Sequence, residues 1–180
     1  MPEFSADYTS AHTAEWKTVL GKFIGKPGIR AIEVGCWEGR STLWFLTEVL
    51  THETSRLICI DPVFDERFYQ NLEPHLPKIE LIEQYSQLAL RTIPLQTASF
   101  VYIDGNHAAA NVLEDAILAF PTLSVGGVMI FDDYLWDYSE DGNPLNEPKI
   151  AIDAFLTVYG KQIKLLHKDW QVIVEKTAEL

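Results

Sequence analysis

Positive charge is scarce in this chain: 14 lysines and arginines stand against 26 aspartates and glutamates, a formal net charge of −12. So acidic a surface repels a phosphate backbone, which argues against a general nucleic-acid binder. Cysteine is scarcer still. Cys36 and Cys59 are the only two, each lies in an apolar stretch, and they form no CxxC pair. They read as small buried side chains in a reducing compartment, and the expected address is cytoplasmic. No apolar run approaches the roughly 20 residues needed to cross a bilayer, so no membrane partner is expected. The opening MPEFSADYTS lacks the basic and apolar regions of a secretion signal. Repeats, low-complexity tracts and Pro/Ser-rich linkers are missing too. The expectation is therefore one domain over residues 1–180, with an N-terminal helical segment (1–28) leading into a core (29–176).

What is present suits a packed core: 47% of the residues are hydrophobic and 12% aromatic. Apolar, β-rich runs alternate with helical spacing. Strands are predicted at 29–34, 56–60, 78–82, 99–103 and over the VMIF after Gly126-Gly127, with helices at 41–50, 86–92, 108–120 and 150–159. Two further strands, 162–166 and 171–175, flank a turn around His167-Lys168-Asp169-Trp170, a hairpin signal. Repeated strand–helix units give an α/β protein with a parallel sheet and right-handed crossovers, and the hairpin adds an antiparallel strand. Ligands of such sheets sit beyond the carboxyl ends of the strands, where strand order reverses. The strand ends Glu33-Gly35, Asp61, Tyr85-Ser86, Asp104-His107 and Asp132-Asp133 should therefore meet at one crevice.

The first strand runs into Glu33-Val34-Gly35-Cys36-Trp37-Glu38-Gly39-Arg40-Ser41. Gly35 permits a tight turn, Gly39 permits the loop to pass the helix start, and Ser41 stands near that start to cap it. The spacing is neither a P-loop nor the GxGxxG of nicotinamide enzymes. Glu33 and Glu38 flank the turn; they would repel a pyrophosphate and suit a ligand with positive charge, such as an ammonium or a sulfonium. Asp61, ending the second strand, is placed to accept hydrogen bonds from both hydroxyls of a ribose. The plainer alternative is an ordinary strand-to-helix turn, with Asp61 capping the segment after it.

Asp104 ends the fourth strand and Asp132-Asp133 end the fifth. Three carboxylates in one place are costly without a compensating positive charge, and carboxylate ligation selects a hard cation, Mg²⁺ before Mn²⁺ or Ca²⁺. The alternative is that Asp132 or Asp133 caps a turn toward solvent. His107, in the same loop as Asp104, is a candidate general base among acidic groups, or else a structural histidine. His12, His52, His75 and His167 lack such company.

Taken in order, EVGCWEGRST, ICIDPVF, FVYIDGNHAAANVLEDAILAF and LSVGGVMIFDDYLW resemble the class I S-adenosylmethionine-dependent methyltransferases. More narrowly, the chain resembles the small-molecule branch typified by cephalosporin-biosynthesis and macrolide-sugar O-methyltransferases, and the likeness runs from about Phe4 to Lys176. It implies a Rossmann-like, doubly wound, seven-stranded, mostly parallel sheet in which the C-terminal β-hairpin inserts one antiparallel strand. It also implies roles: Glu33, Gly35 and Gly39 at the methionine part of the cofactor with Ser41 beside them, Asp61 at the ribose, and Tyr85-Ser86 at the adenine edge. Asp104 would sit between cofactor and metal, with Asp132 and Asp133 completing the metal site.

The function so implied is a Mg²⁺-assisted methyl transfer to a hydroxyl of a small molecule, with His107 or Asp104 taking the proton. The acceptor would be gripped by residues 4–16 and by the loop 134–148, where Tyr134, Trp136 and Tyr138 form a wall or simply anchor the loop. Other readings are a metal-independent methyltransferase acting on another acceptor and a nicotinamide-dependent oxidoreductase. A homodimer would be ordinary for such a domain.

Overall fold

The computed structural model describes residues 2–137 and 143–179. Seven apolar runs become the strands β1 (Arg30–Val34), β2 (Arg56–Asp61), β3 (Ile79–Glu83), β4 (Ala98–Ile103), β5 (Leu123–Phe131), β6 (Ile163–Lys168) and β7 (Val172–Lys176). They form one sheet in the order β3-β2-β1-β4-β5-β7-β6. The first five in that order pair in parallel, while β7 runs antiparallel to both β5 and β6. This is the expected Rossmann-like arrangement with one inserted antiparallel strand.

Alternation along each strand feeds two apolar layers. On one face Ile32, Val34, Val101, Ile103, Met129 and Phe131 pack against α4 (Ser86–Ala89), α5 (Ala109–Ala119) and α6 (Pro148–Val158). On the other, Ala31, Leu57, Cys59, Phe100, Tyr102 and Ile130 pack against α1 (Thr13–Val19), α2 (Arg40–Trp44) and α3 (Glu66–Leu72). Sheet strands covered on both faces read as near-continuous apolar runs, which is why they stood out in the sequence. Trp16, Phe45 and Phe68 are fully buried here, each a gain of about 1.5–3 kcal/mol over exposure.

Four differences from expectation stand out. Helix α3 was not anticipated; it starts where the Asp65 carboxylate accepts the Phe68 amide at 2.9 Å, an N-cap directly after the buried Phe64. The helix at 41–50 changes winding midway, α2 passing into a π-helical turn over Phe45–Val49. Strand β5 begins earlier than VMIF, at Leu123; it runs through Gly126, at φ 83°, and its pairing with β4 shifts register between Ala98 and Phe100. Among the described residues before β1, helix is confined to α1 and a 3₁₀ turn at Gly21–Phe23, because the residues preceding α1 are tied to side chains of other elements. Both cysteines are free and buried, and no helix among the described residues is long and apolar enough to cross a membrane.

Candidate active site

The parallel strands bring their carboxyl ends to one rim, and order reverses between β1 and β4. There lies a crevice of about 660 Å³, lined by Gly35, Ser41, Asp61, Tyr85, Ser86 and Asp104 among others. Its size is that of a small-molecule site.

Gly35 is held at φ 83°, and a Cβ there would fall 2.0 Å from the Asp104 carbonyl oxygen. Only glycine lets the β1 loop touch the β4 loop at this point. Asp61 faces the crevice while organising the same loop: Oδ2 accepts the amides of Cys36 at 2.9 Å and Trp37 at 3.3 Å, and Oδ1 accepts that of Val63 at 3.1 Å. Since each carboxylate oxygen has two acceptor positions, the remaining capacity lies at Oδ1. Tyr85 is largely exposed at the rim and Ser86 is half-buried beside it.

Three residues expected in this half sit elsewhere. Glu33 does not line the crevice; it is fully buried, with Oε1 accepting the Ser41 hydroxyl at 2.5 Å and Oε2 the Thr42 hydroxyl at 2.6 Å. Burial pushes its carboxyl up to about 7, against the pull of those two hydroxyls. Its visible task is to tie the start of α2 to β1. Gly39, at φ 82°, is also outside the lining: a Cβ there would meet Leu72 Cδ1 at 2.6 Å, so this glycine admits α3. Glu38, read as a partner for a cationic ligand, is buried instead against Arg67 at 2.6 Å and the Ser5 amide at 2.6 Å.

The last contact belongs to a strap. Asn71 exchanges hydrogen bonds with the backbone of Glu3, and Asp7 pairs with Arg40 at 2.5 Å. Ala6, Tyr8 and Thr9 thereby line the crevice, with Tyr8 stacked on Trp37 at 6.1 Å between ring centroids.

The other half is acidic. Asp104, His107 and Asp133 offer ligand atoms that all lie within 4.8 Å of one another. His107 Nε2 is 3.0 Å from Asp133 Oδ2, and its ring meets Trp136 edge-on at 4.4 Å. Asp132, expected as a third ligand, stands outside this group. Its Oδ1 accepts the Asp133 amide at 2.7 Å, and its Oδ2 takes both the Tyr102 hydroxyl and, at 2.9 Å, the Gln171 amide. Tyr102 also reaches Asp104 Oδ2 at 3.0 Å. Burial first, then the charges of Asp132 and Asp133, hold the Asp104 carboxyl well above the usual range; burial likewise raises Asp132. A crowded set of hard oxygen donors plus an imidazole is the chemistry that a divalent cation relieves, so these residues fit one.

Tyr134 is buried: its hydroxyl lies 3.0 Å from Asp153, and Lys149 and Lys168 lie over its ring, which makes it a loop anchor. Tyr138 lies outside the described residues. Sequence reasoning missed Tyr102 and Gln171. The signals were a tyrosine in YIDGNH on a core strand and a polar residue opening the apolar run of β7. It missed Asp115 on α5 too, whose Oδ2 is buried without a partner close behind Gly105 and whose carboxyl burial pushes up to about 6.

A family model described as a methyltransferase domain matches residues 32–134. No curated protein is significantly similar in sequence. Among solved structures, a candidate rRNA methylase from Clostridium thermocellum is similar with TM-score 0.74 at 17% identity, covering 98% of this chain and 99% of that one. A candidate O-methyltransferase from Klebsiella pneumoniae gives 0.74 at 14% identity, covering 97% and 84%. MycE methyltransferase of the mycinamycin biosynthetic pathway, solved with Mg, SAH and mycinamycin VI, gives 0.72 at 15% identity, covering 96% of this chain and 51% of its own. This chain therefore spans about half of MycE. At these identities the likeness is one of fold.

Proposed function

Since the chain belongs to the methyltransferase-domain family, we propose that it transfers the methyl group of S-adenosylmethionine to a hydroxyl oxygen of a small molecule, with a divalent cation, Mg²⁺ first, at the acidic group. The observation that carries this reading is Asp104, which lines the crevice and belongs to the acidic cluster. MycE, solved with Mg and SAH, lends support through its similar fold.

Asp61 would take a ribose hydroxyl through Oδ1, with Ser86 and Tyr85 at the adenine edge and the Gly35 turn giving the cofactor close backbone approach. Asp104 and Asp133 would hold the cation, with Asp132 behind them. When bound, a sulfonium cofactor supplies an activated methyl group and a divalent ion lowers the pKa of an acceptor hydroxyl. The protein's own work is alignment and proton removal. His107, oriented by Asp133 through Nε2, keeps Nδ1 for the acceptor proton. Tyr8 and Trp37, which line the crevice, would give an acceptor flat apolar walls, and Trp136 packs beside His107. The net charge of −12 supports a small acceptor over an RNA, the substrate class named for the C. thermocellum neighbour.

Calorimetry tests the cofactor: S-adenosylhomocysteine should bind and NAD should not, and the reverse would move the protein to nicotinamide chemistry. Dialysis against a chelator tests the cation. Full methyl transfer without divalent ions would leave a metal-independent methyltransferase.

A further inference from the structure

A buried polar chain enters the acidic group from behind. Gln171, just before β7, is 2% exposed, and Trp16 of α1 is fully buried. The indole Nε1 of Trp16 donates to Gln171 Oε1 at 2.7 Å, and Gln171 Nε2 donates to Asp132 Oδ2 at 2.9 Å. An indole N–H can only donate, so the amide oxygen must face Trp16 and the amide NH₂ must face Asp132. Both ends of Gln171 are thereby fixed by chemistry as well as by position.

What Gln171 holds matters. Asp132 spends Oδ2 on Gln171 and Tyr102, and Oδ1 on the amide of Asp133. Asp133 stands at φ 58°, a left-handed conformation that a side chain disfavours, and that amide bond helps to keep it there. Tyr102, held by Asp132, also touches Asp104. One clamped carboxylate thus orients both acids of the cluster. Trp16 is itself locked between Phe45, stacked at 4.9 Å, and Tyr102, edge-on at 5.3 Å.

We propose that Gln171 is a positioning residue for a divalent cation held by Asp104 and Asp133, and that Trp16 sets the cation affinity through it. The inference rests on the cation reading above. Partners of ligating carboxylates typically carry about 10–100-fold in metal affinity, and α1 thereby becomes part of the site although it touches no ligand.

The test is Mn²⁺ binding to the whole protein, followed by the paramagnetic resonance of free Mn²⁺, with S-adenosylhomocysteine affinity measured in parallel. Gln171→Met keeps the side-chain length and removes both polar ends; its Mn²⁺ Kd should rise about 10–100-fold while S-adenosylhomocysteine affinity stays unchanged. Trp16→Phe keeps the packing and removes one donor, freeing the amide to turn, and should raise the Mn²⁺ Kd by roughly threefold, the lower end of what one lost hydrogen bond carries. A folded Gln171→Met protein that binds Mn²⁺ like the parent overturns the proposal and leaves the cation reading standing. If Gln171→Met does not fold, an unchanged Kd in Trp16→Phe overturns it equally. A parent protein that binds no Mn²⁺ overturns the cation reading and the proposal together.

Discussion

The β1–β3 side of the crevice and the β4–β5 side are both built from carboxylates near the ends of parallel strands, yet they dispose of that charge in opposite ways. On the first side, Asp61 is spread over three backbone amides, Glu33 takes two hydroxyls, and Glu38 has Arg67. On the second, Asp104, Asp132 and Asp133 share a phenol, one amide side chain, one backbone amide and an imidazole. An acid satisfied from within the fold builds a loop, whereas acids crowded against one another call for a ligand. Residue type and strand-end position are the same on both sides, so the donors around each carboxylate decide its role.

Mutations can break this contrast. The largest effect is expected at the crowded side. Asp133→Ala removes a group proposed to hold the cation and the partner of His107, and methyl transfer should fall by about 10²–10⁴-fold, the range for losing general-base chemistry. S-adenosylhomocysteine affinity, read by calorimetry, should stay within about twofold, since Asp133 is no part of the crevice lining. A large loss of cofactor binding would merge the two halves into one.

Gly35→Ala strikes the seam between them. A methyl group 2.0 Å from the Asp104 carbonyl oxygen, at φ 83°, should cost about 3 kcal/mol or more in a denaturant titration and lower cofactor binding as well. Gly39→Ala has the same backbone conformation but meets the movable end of Leu72. It should cost only about 1–2 kcal/mol and leave cofactor affinity intact.

Glu33 sharpens the contrast through pH. Its carboxyl rises from 4.5 to about 7 on folding, so the native chain holds a proton that the unfolded chain has released. This group's contribution is complete below pH 4.5 and is lost as pH rises toward 7, amounting to about 3 kcal/mol. Glu33→Gln should flatten that part of the unfolding free energy against pH. An unaltered slope would mean that Glu33 is charged in the fold, as a partner of a cationic ligand would be.

The central strands β1, β2, β4 and β5 were legible because their apolar runs are buried and each ends in punctuation: Gly35, Asp61-Pro62, Asp104-Gly105, Asp132-Asp133. The rim residues came from the rule that parallel strands present their ends together. The allotment of tasks within the rim was not legible. Whether Glu33 faces a ligand or the Ser41 and Thr42 hydroxyls depends on how α2 leaves the glycine turn, and Gly39 gains its purpose only once α3 is present. Helix α3 has only seven residues, and its apolar stripe Phe64, Phe68 and Leu72 was passed over although its cap Asp65 stands in the right place. Gln171 is a lone polar residue at a strand start, and its partners Trp16 and Asp132 are remote in sequence and adjacent only after folding.

The proposal that the crevice serves a nucleoside on one side and a divalent ion on the other, with Asp104 shared, can be tried in a single crystal. Grown with S-adenosylhomocysteine and Mn²⁺ and measured at the manganese absorption edge, it should show an anomalous peak between Asp104 and Asp133. The ribose of the ligand should lie against Asp61. S-adenosylhomocysteine in that crevice with no manganese beside Asp104, at saturating Mn²⁺, would contradict the shared site.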